Sequence, residues 1–585
     1  MKSNYNKFPV IPINGHSCTA GWENIISTCK DYNHRVIAIE CYPGVYEDEI
    51  TSQIQLLLNP ELIINTAEAM KSEVEITTLV QPYVTDDPVF GYMSSLELED
   101  YFDEIKISEL KNIMKAVDGC VAIIGPGALL LNHQPDLILY ADMPRWEIQM
   151  RYRNNTASNL GKTNNTDPFS YQYKHAYFVD WRVSDRYKKR ILKTCDFILD
   201  TTKPGHPKMI TVDALYDALE QIVTRPFRVV PFFDPGPWGG QWLKEICDLD
   251  RSVQNFAWGF DCVPEENSLL LGFGDEVMEI PSSNLVFFQS EALLGKKVYE
   301  GFGDEFPIRF DFLDTMEGGN LSLQVHPLKE YIREKFGMSY TQDESYYILD
   351  AGKDAFVYLG LKDHVQPEMM MKDLERAQAG QIAFEAEKYV EKWPVRKHDH
   401  VSIPAGTVHC SGADSVVLEI SATPYIFTFK LWDWGRMGLD GQPRPISLEH
   451  GRNNIQWNRD SSWTKENILQ LTVSVAEGDG WREERTGLDA WSFMETRRHW
   501  FTKKVIHHTQ GIVNVLNLVE GREVIIESPD NSFEPYIVSY AETFIIPACV
   551  GAYTITPYGE SEGKECATIK ASVRPEMIAG KILNN

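Results

Sequence analysis

One short stretch, Asn320-Leu321-Ser322-Leu323-Gln324-Val325-His326-Pro327, has residue types and spacing suited to metal chemistry. Read as a strand, it places Ser322, Gln324 and His326 on one face and Leu321, Leu323 and Val325 on the other. A polar face bearing an imidazole and an amide, backed by an apolar one, suits the inside of a small β-barrel that holds a metal. Two later pieces offer further ligands. Glu344 enters a second β-like run from Gln342 to Leu349, and His409 follows the turn Ile403-Pro404-Ala405-Gly406-Thr407-Val408. Gln324, His326, Glu344 and His409 together provide two imidazoles, a carboxylate and an amide oxygen. That set suits zinc or a similar divalent ion, with room left for a substrate or water. The same residues also read as a hydrogen-bonded core histidine and a solvated glutamate, and spacing alone does not choose.

The order of three separated motifs, Leu321 to Pro327, then Glu344, then Ile403 to His409, resembles the signature of type I mannose-6-phosphate isomerases. The resemblance implies a cupin fold and one zinc ion per chain (another divalent metal being possible) on Gln324, His326, Glu344 and His409. It also implies interconversion of mannose 6-phosphate and fructose 6-phosphate through an enediolate. Phe427 to Arg436 resembles the strand and turn that end in the family's active-site arginine, which makes Arg436 the matching residue. Glu419 interrupts the apolar run Val416 to Ile420. A carboxylate in that setting needs a partner, and Glu419 is the candidate for acid/base work. Pro237-Trp238-Gly239-Gly240 resembles the opening of the isomerase domain, where Trp238 and Trp242 read either as a sugar platform or as core packing.

Two departures bear on the substrate. Family members carry lysines where this chain has Asp311 and Gln342, and an aspartate would repel phosphate. Ser322, Lys430, Arg309 and Arg436 are the residues able to compensate, and Ser322, Lys430 and Trp238 are taken as substrate-binding. A different or unphosphorylated sugar, or a catalytically silent sugar-binding or regulatory cupin protein, stands as the alternative.

The elements that must position these residues occupy the later part of a 585-residue chain, long enough for several domains. Residues 10–225 alternate strand and helix patterns, as in a parallel sheet covered by helices. Arg35 to Glu40, Cys120 to Gly127 and Asp136 to Asp142 read as strands, and Glu47 to Ile50 opens a helix. The order resembles uridine-kinase-like P-loop domains, but the chemistry does not. A phosphate-cradling loop needs glycines, a lysine and a Ser or Thr. Cys41 to Ile50 has one glycine, no lysine and three acidic residues, so a kinase-like fold without kinase activity is expected. Arg145, Arg151 and Arg153 read as a solvated helix face or a relic anion site, and Asn154 to Asp167 as an exposed loop.

Prolines at 226, 231, 235 and 237 mark a boundary. The expected domains are 1–225, kinase-like α/β; 226–460, a metal-binding cupin (jelly-roll) with a helical cover from Pro367 to Ala379; and 461–585, a second cupin without metal. In the last, Thr543 to Ala548 echoes the approach to His409, but Cys549-Val550-Gly551 follows instead of a histidine. Lys397-His398-Asp399-His400 is expected to be a solvent-facing turn. Ten cysteines lie scattered without C-x-x-C pairs, which fits free thiols in a reducing cytoplasm. No apolar run suits a bilayer, and the opening residues carry no secretory segment. A formal charge of −28 disfavours nucleic acid and anionic membranes, so the expected partner is a sugar or sugar phosphate. Oligomeric state is left open.

Overall fold

The computed structural model describes residues 3–577 except 33, 423–426, 440, 442–443, 470, 488–491 and 575. Met1 and Lys2 of the opening segment lie outside the described residues. The chain forms two compact units. One comprises Val10–Gln221 and Glu265–Phe288; the other comprises Met1–Pro9, Ile222–Pro264 and Gln289–Asn585. The boundary expected at 225/226 therefore does not describe the stretch Glu265–Phe288, which returns to the N-terminal unit. Its strands Ser268–Phe273 and Glu276–Pro281 form a hairpin that pairs in parallel with Val10–Pro12.

The N-terminal unit is built on a seven-stranded sheet. Its order is Thr19–Ala20, Lys208–Thr211, Phe197–Asp200, Leu137–Asp142, Val36–Cys41, Val121–Gly125, Leu62–Asn65. The last five are mutually parallel. Val121–Gly125 and Leu137–Asp142 are buried along their whole lengths, as befits parallel strands covered on both faces. Amphipathic helices such as Trp22–Lys30, which buries Trp22, Ile25, Ile26 and Cys29, supply the cover.

Two expectations for this unit are corrected. The helix Arg145–Arg153 does not present a solvated arginine face: Arg145 and Arg151 are only 3% and 1% exposed. Arg145 is paired with Asp185 and with Glu265 at 2.6 Å, and Arg151 donates to the carbonyls of Gly44 and Thr201. A buried guanidinium must find such partners. The polar segment after it is not simply exposed either. Ala157, Asn159, Leu160 and Asn164 are buried, and Asn159 donates to Asp180 at 2.7 Å.

The second unit holds two all-β bodies. The first combines a six-stranded and a five-stranded antiparallel sheet. The helix Pro367–Gln378 lies between two of its strands in sequence and buries Met370, Met371, Leu374 and Ala377. The second body pairs a six-stranded with a four-stranded sheet around Phe501, Leu516, Leu518, Val524, Phe544 and Tyr553. No helix among the described residues is long and apolar enough to cross a membrane. All ten cysteines are free.

Candidate metal centre

In the five-stranded sheet the strand Leu323–Val325 lies between His409–Ser411 and Phe429–Trp432, with Gln324 opposite both His409 and Lys430. Directly paired residues share a sheet face, so these three side chains form one row. His326 follows at the strand's end, where Pro327 removes the next ladder donor. In the six-stranded sheet Glu344 pairs with Ser421, while Glu419 lies between Tyr346 and Asp311. Arg309, Asp311, Glu344, Glu419 and Ser421 thereby line a second polar face. The two faces meet at the centre of the body.

There His326 Nε2 lies 3.1 Å from Glu344 Oε2, and His409 Nε2 lies 2.9 Å from Glu344 Oε1. The Gln324 amide is 3.2 Å from His409 Nε2. His326, His409 and Glu344 are almost wholly buried, and Gln324 is 6% exposed. Each imidazole turns its other nitrogen to a backbone carbonyl: His326 Nδ1 to Phe427 O at 3.0 Å, and His409 Nδ1 to Thr407 O at 2.9 Å. Donation to a carbonyl places the proton on Nδ1 and leaves each Nε2 a bare lone pair.

Lone pairs of nitrogen therefore face a carboxylate in a dry pocket, an arrangement that repels itself unless a cation lies among them. His326 Nε2 and Glu344 Oε1 are indeed buried without a hydrogen-bond partner. The ligand atoms of His326, Glu344 and His409 lie within 4.8 Å of one another. Ligands on a tetrahedral zinc at ordinary bond lengths stand about 3.3 Å apart, close to the spacing seen. The donor set fits a divalent metal, and rotation of the Gln324 amide would add its oxygen.

Behind the ligands lies a charged cluster. Gln342 donates to Glu344 Oε2 at 2.9 Å and approaches Glu419 Oε1 at 3.4 Å. Arg309 bridges Asp311, at 2.9 Å, and Glu419. Burial, with Asp311 and Glu344 nearby, pushes Glu419 well above the usual carboxylate range. Burial likewise lifts Asp311, to about 6, against the pull of Arg309. Asp311 is thus neutralised by its strand neighbour, which answers the concern that it would repel an anion.

A third group surrounds Asp433. Ser322 Oγ donates to its Oδ1 at 2.8 Å, Arg436 reaches Oδ1 at 2.6 Å, and Arg444 reaches Oδ2 at 2.9 Å and Ser322 Oγ at 3.1 Å. Arg436 also donates to Asn320 O at 2.5 Å. Burial, reinforced by Arg444, pushes the Lys430 amine down to about 7. Arg444 escaped the sequence reading because its only signal is an arginine between two prolines, which nothing local connects to Ser322. Arg459 was missed for the same reason; it donates to the carbonyls of Pro404 and Ala405 and to Thr407 Oγ1, at 2.6–2.8 Å.

Other expectations are corrected. Trp238 is 1% exposed and packs edge-on against Trp258 with ring centroids 4.8 Å apart, so it offers no face to a sugar. Trp242 is buried and donates to Asp350. The expected solvent-facing turn is present at Lys397 and His398, with Lys397 exposed, but His398 is half-buried and His400 is buried in a strand. His398 meets Tyr347 and Glu520, and His400, 3% exposed, meets Thr486 and Ser345. Burial, helped by Arg498, pushes His400 down to about 3.

A family profile described as a domain of unknown function (DUF8485) matches residues 21–224. The mannose-6-phosphate isomerase ManA of Bacillus subtilis (strain 168) is 29% identical over 235 residues, covering 39% of this chain and 67% of the relative. The mannose-6-phosphate isomerase of Streptococcus mutans is 25% identical over 245 residues, 41% of this chain and 72% of its own length. Among solved structures, that of the mannose 6-phosphate isomerase from Bacillus subtilis aligns with a TM-score of 0.47 and 17% identity, over 59% of this chain and 99% of that one. The curated relatives are isomerases, and the similarity supports an isomerase enzyme.

Proposed function

We propose that the second unit is a metal-dependent aldose–ketose isomerase interconverting mannose 6-phosphate and fructose 6-phosphate. One observation carries this reading: the imidazole Nε2 atoms of His326 and His409 converge on Glu344 with no proton of their own to share. The names of the curated relatives then give the reaction class. Gln324, His326, Glu344 and His409 would hold the ion. When bound, zinc or a similar ion supplies Lewis-acid polarisation of a sugar carbonyl.

The chain's own groups account for the remaining steps. Isomerisation moves a proton between C2 and C1 through an enediolate, which needs an acid/base group and a positive charge near the developing oxyanion. Glu419, whose carboxyl burial and its acidic neighbours push well above the usual range, is the acid/base candidate, reaching the ligand set through Gln342. Arg436, fixed by Asp433 and Asn320 O, supplies the charge. Lys430, Ser322 and Arg444 form the phosphate subsite. Asp433 already takes up charge from both arginines, which leaves Lys430 as the amine that would take a proton from solvent and pair with an arriving dianion.

The N-terminal unit is read as a P-loop-like domain without kinase activity, because the turn after Val36–Cys41 has no lysine and leads into Glu47, Asp48 and Glu49. Free thiols fit work in the cytoplasm. Assays with mannose 6-phosphate, fructose 6-phosphate and the neutral hexoses, in the presence of zinc, test the reading. Turnover of the phosphorylated pair supports it. Sugar binding without exchange of the C2 proton into solvent would instead identify a silent binder.

A further inference from the structure

The N-terminal unit contains a cavity of about 750 Å³ that the isomerase reading leaves unused. It lies at the carboxyl ends of Val36–Cys41, Leu62–Asn65 and Val121–Gly125, lined by residues just beyond each strand. Open parallel sheets bind ligands outside the carboxyl ends of their strands, and the volume is that of a small-molecule site.

The lining is built. Gly125, with φ 125°, ends its strand where a Cβ would lie 2.2 Å from Thr66 Oγ1 and 3.0 Å from Glu47 Oε2. Glycine there lets both side chains close on the strand end. Thr66 is 0% exposed, lines the cavity, and its hydroxyl has no hydrogen-bond partner. A buried hydroxyl left without a partner carries a desolvation penalty that a ligand can relieve.

The charge of the lining selects the ligand class. Glu47, Asp48, Glu49 and Glu73 stand against Lys71 and Lys162, an excess of two negative charges. Lys71 already donates to Asp100 O at 2.6 Å. Such a lining repels a nucleotide triphosphate, whereas carboxylates each accept several hydroxyl donors. The ring of Tyr46, with the Arg151 guanidinium 3.8 Å over one face, adds an apolar wall. We propose that this cavity binds an uncharged, hydroxyl-rich small molecule of the monosaccharide class, at a site separate from the metal centre. Burial pushes Glu47 up to about 7, so near neutrality it can both donate to and accept from a sugar hydroxyl.

Hydrogen–deuterium exchange on the full chain tests this, with D-mannose, D-fructose and D-glucose in separate titrations and Mg·ATP as a parallel arm. At least one hexose should protect peptides spanning residues 42–49 and 156–163 in a saturable way, and Mg·ATP should not. Peptides spanning 320–345 and 400–411 report the metal centre separately, so failure of one site is distinguishable from failure of the other. Glu47→Gln and Thr66→Val should each weaken hexose protection about 10-fold. Lys162→Ala, in the loop at the cavity's edge, serves as a further variant should either fail to fold. Protection by Mg·ATP instead of hexose, no protection by any hexose, or unchanged affinity in the folded variants would overturn the proposal.

Discussion

His326 and His409 owe their chemistry to what lies behind them. With Nδ1 committed to Phe427 O and Thr407 O, each ring can only offer a lone pair toward Glu344. Replacing either with Ala should bring metal content, measured by plasma mass spectrometry, from one ion per chain to near none, and abolish isomerase activity with it. An active, metal-free variant would sink the mechanism. Lys430 and Arg444 make a different prediction, because among the described residues no side-chain hydrogen bond joins either to Gln324, His326, Glu344 or His409. Lys430→Met or Arg444→Ala should raise KM for mannose 6-phosphate about 10-fold or more, the usual worth of a charge-assisted contact, and leave metal content intact. Loss confined to kcat would argue that neither holds the phosphate.

At the scale of elements, the candidate metal centre depends on one turn. Pro404 to Thr407 connects His400–Ile403 to His409–Ser411. Gly406 takes φ 89°, and a Cβ there would lie 2.7 Å from Gln456 Cγ. Asp343 accepts from Ala405 N at 2.9 Å, and Arg459 clamps three oxygens of the turn. Arg459→Ala removes no ligand, yet it frees the segment that carries His409. Zinc affinity, followed by competition with a chromophoric chelator, should fall about 10-fold, as for other outer contacts of metal ligands. Unchanged affinity would show that the strands alone hold His409 in place.

At the scale of the molecule, the N-terminal unit borrows Glu265–Phe288 from later in the chain. Glu265 pairs there with Arg145 and Arg182. Burial would raise its carboxyl, but Arg182 and Arg145 outweigh burial and hold it at about 2, below its ordinary 4.5. The unfolded state therefore binds this proton first. The resulting stability, on the order of 3 kcal/mol, is present in full above about pH 4.5 and lost as pH falls toward about 2. Glu265→Gln should lower the melting temperature of the unit at neutral pH and flatten its decline on acidification. An identical acid limb in the variant would contradict the linkage.

Local pattern carried much of this protein. Alternation across Ser322, Gln324 and His326, the strand and turn leading to His409, and the hydrophobic runs that became Val36–Cys41, Val121–Gly125 and Leu137–Asp142 are short-range features, set by backbone geometry that a window of residues contains. Pairing is long-range, and tertiary structure alone decided it. The same alternation could not reveal that Glu419 joins Arg309 and Asp311, or that Asp433 gathers Arg444 as well as Arg436. Nor could it tell that Trp238 and His400 turn inward, or that Glu265 returns to neutralise Arg145. A side chain's type follows from its codon; its solvation and its partner's charge follow only from which distant strand is packed against it.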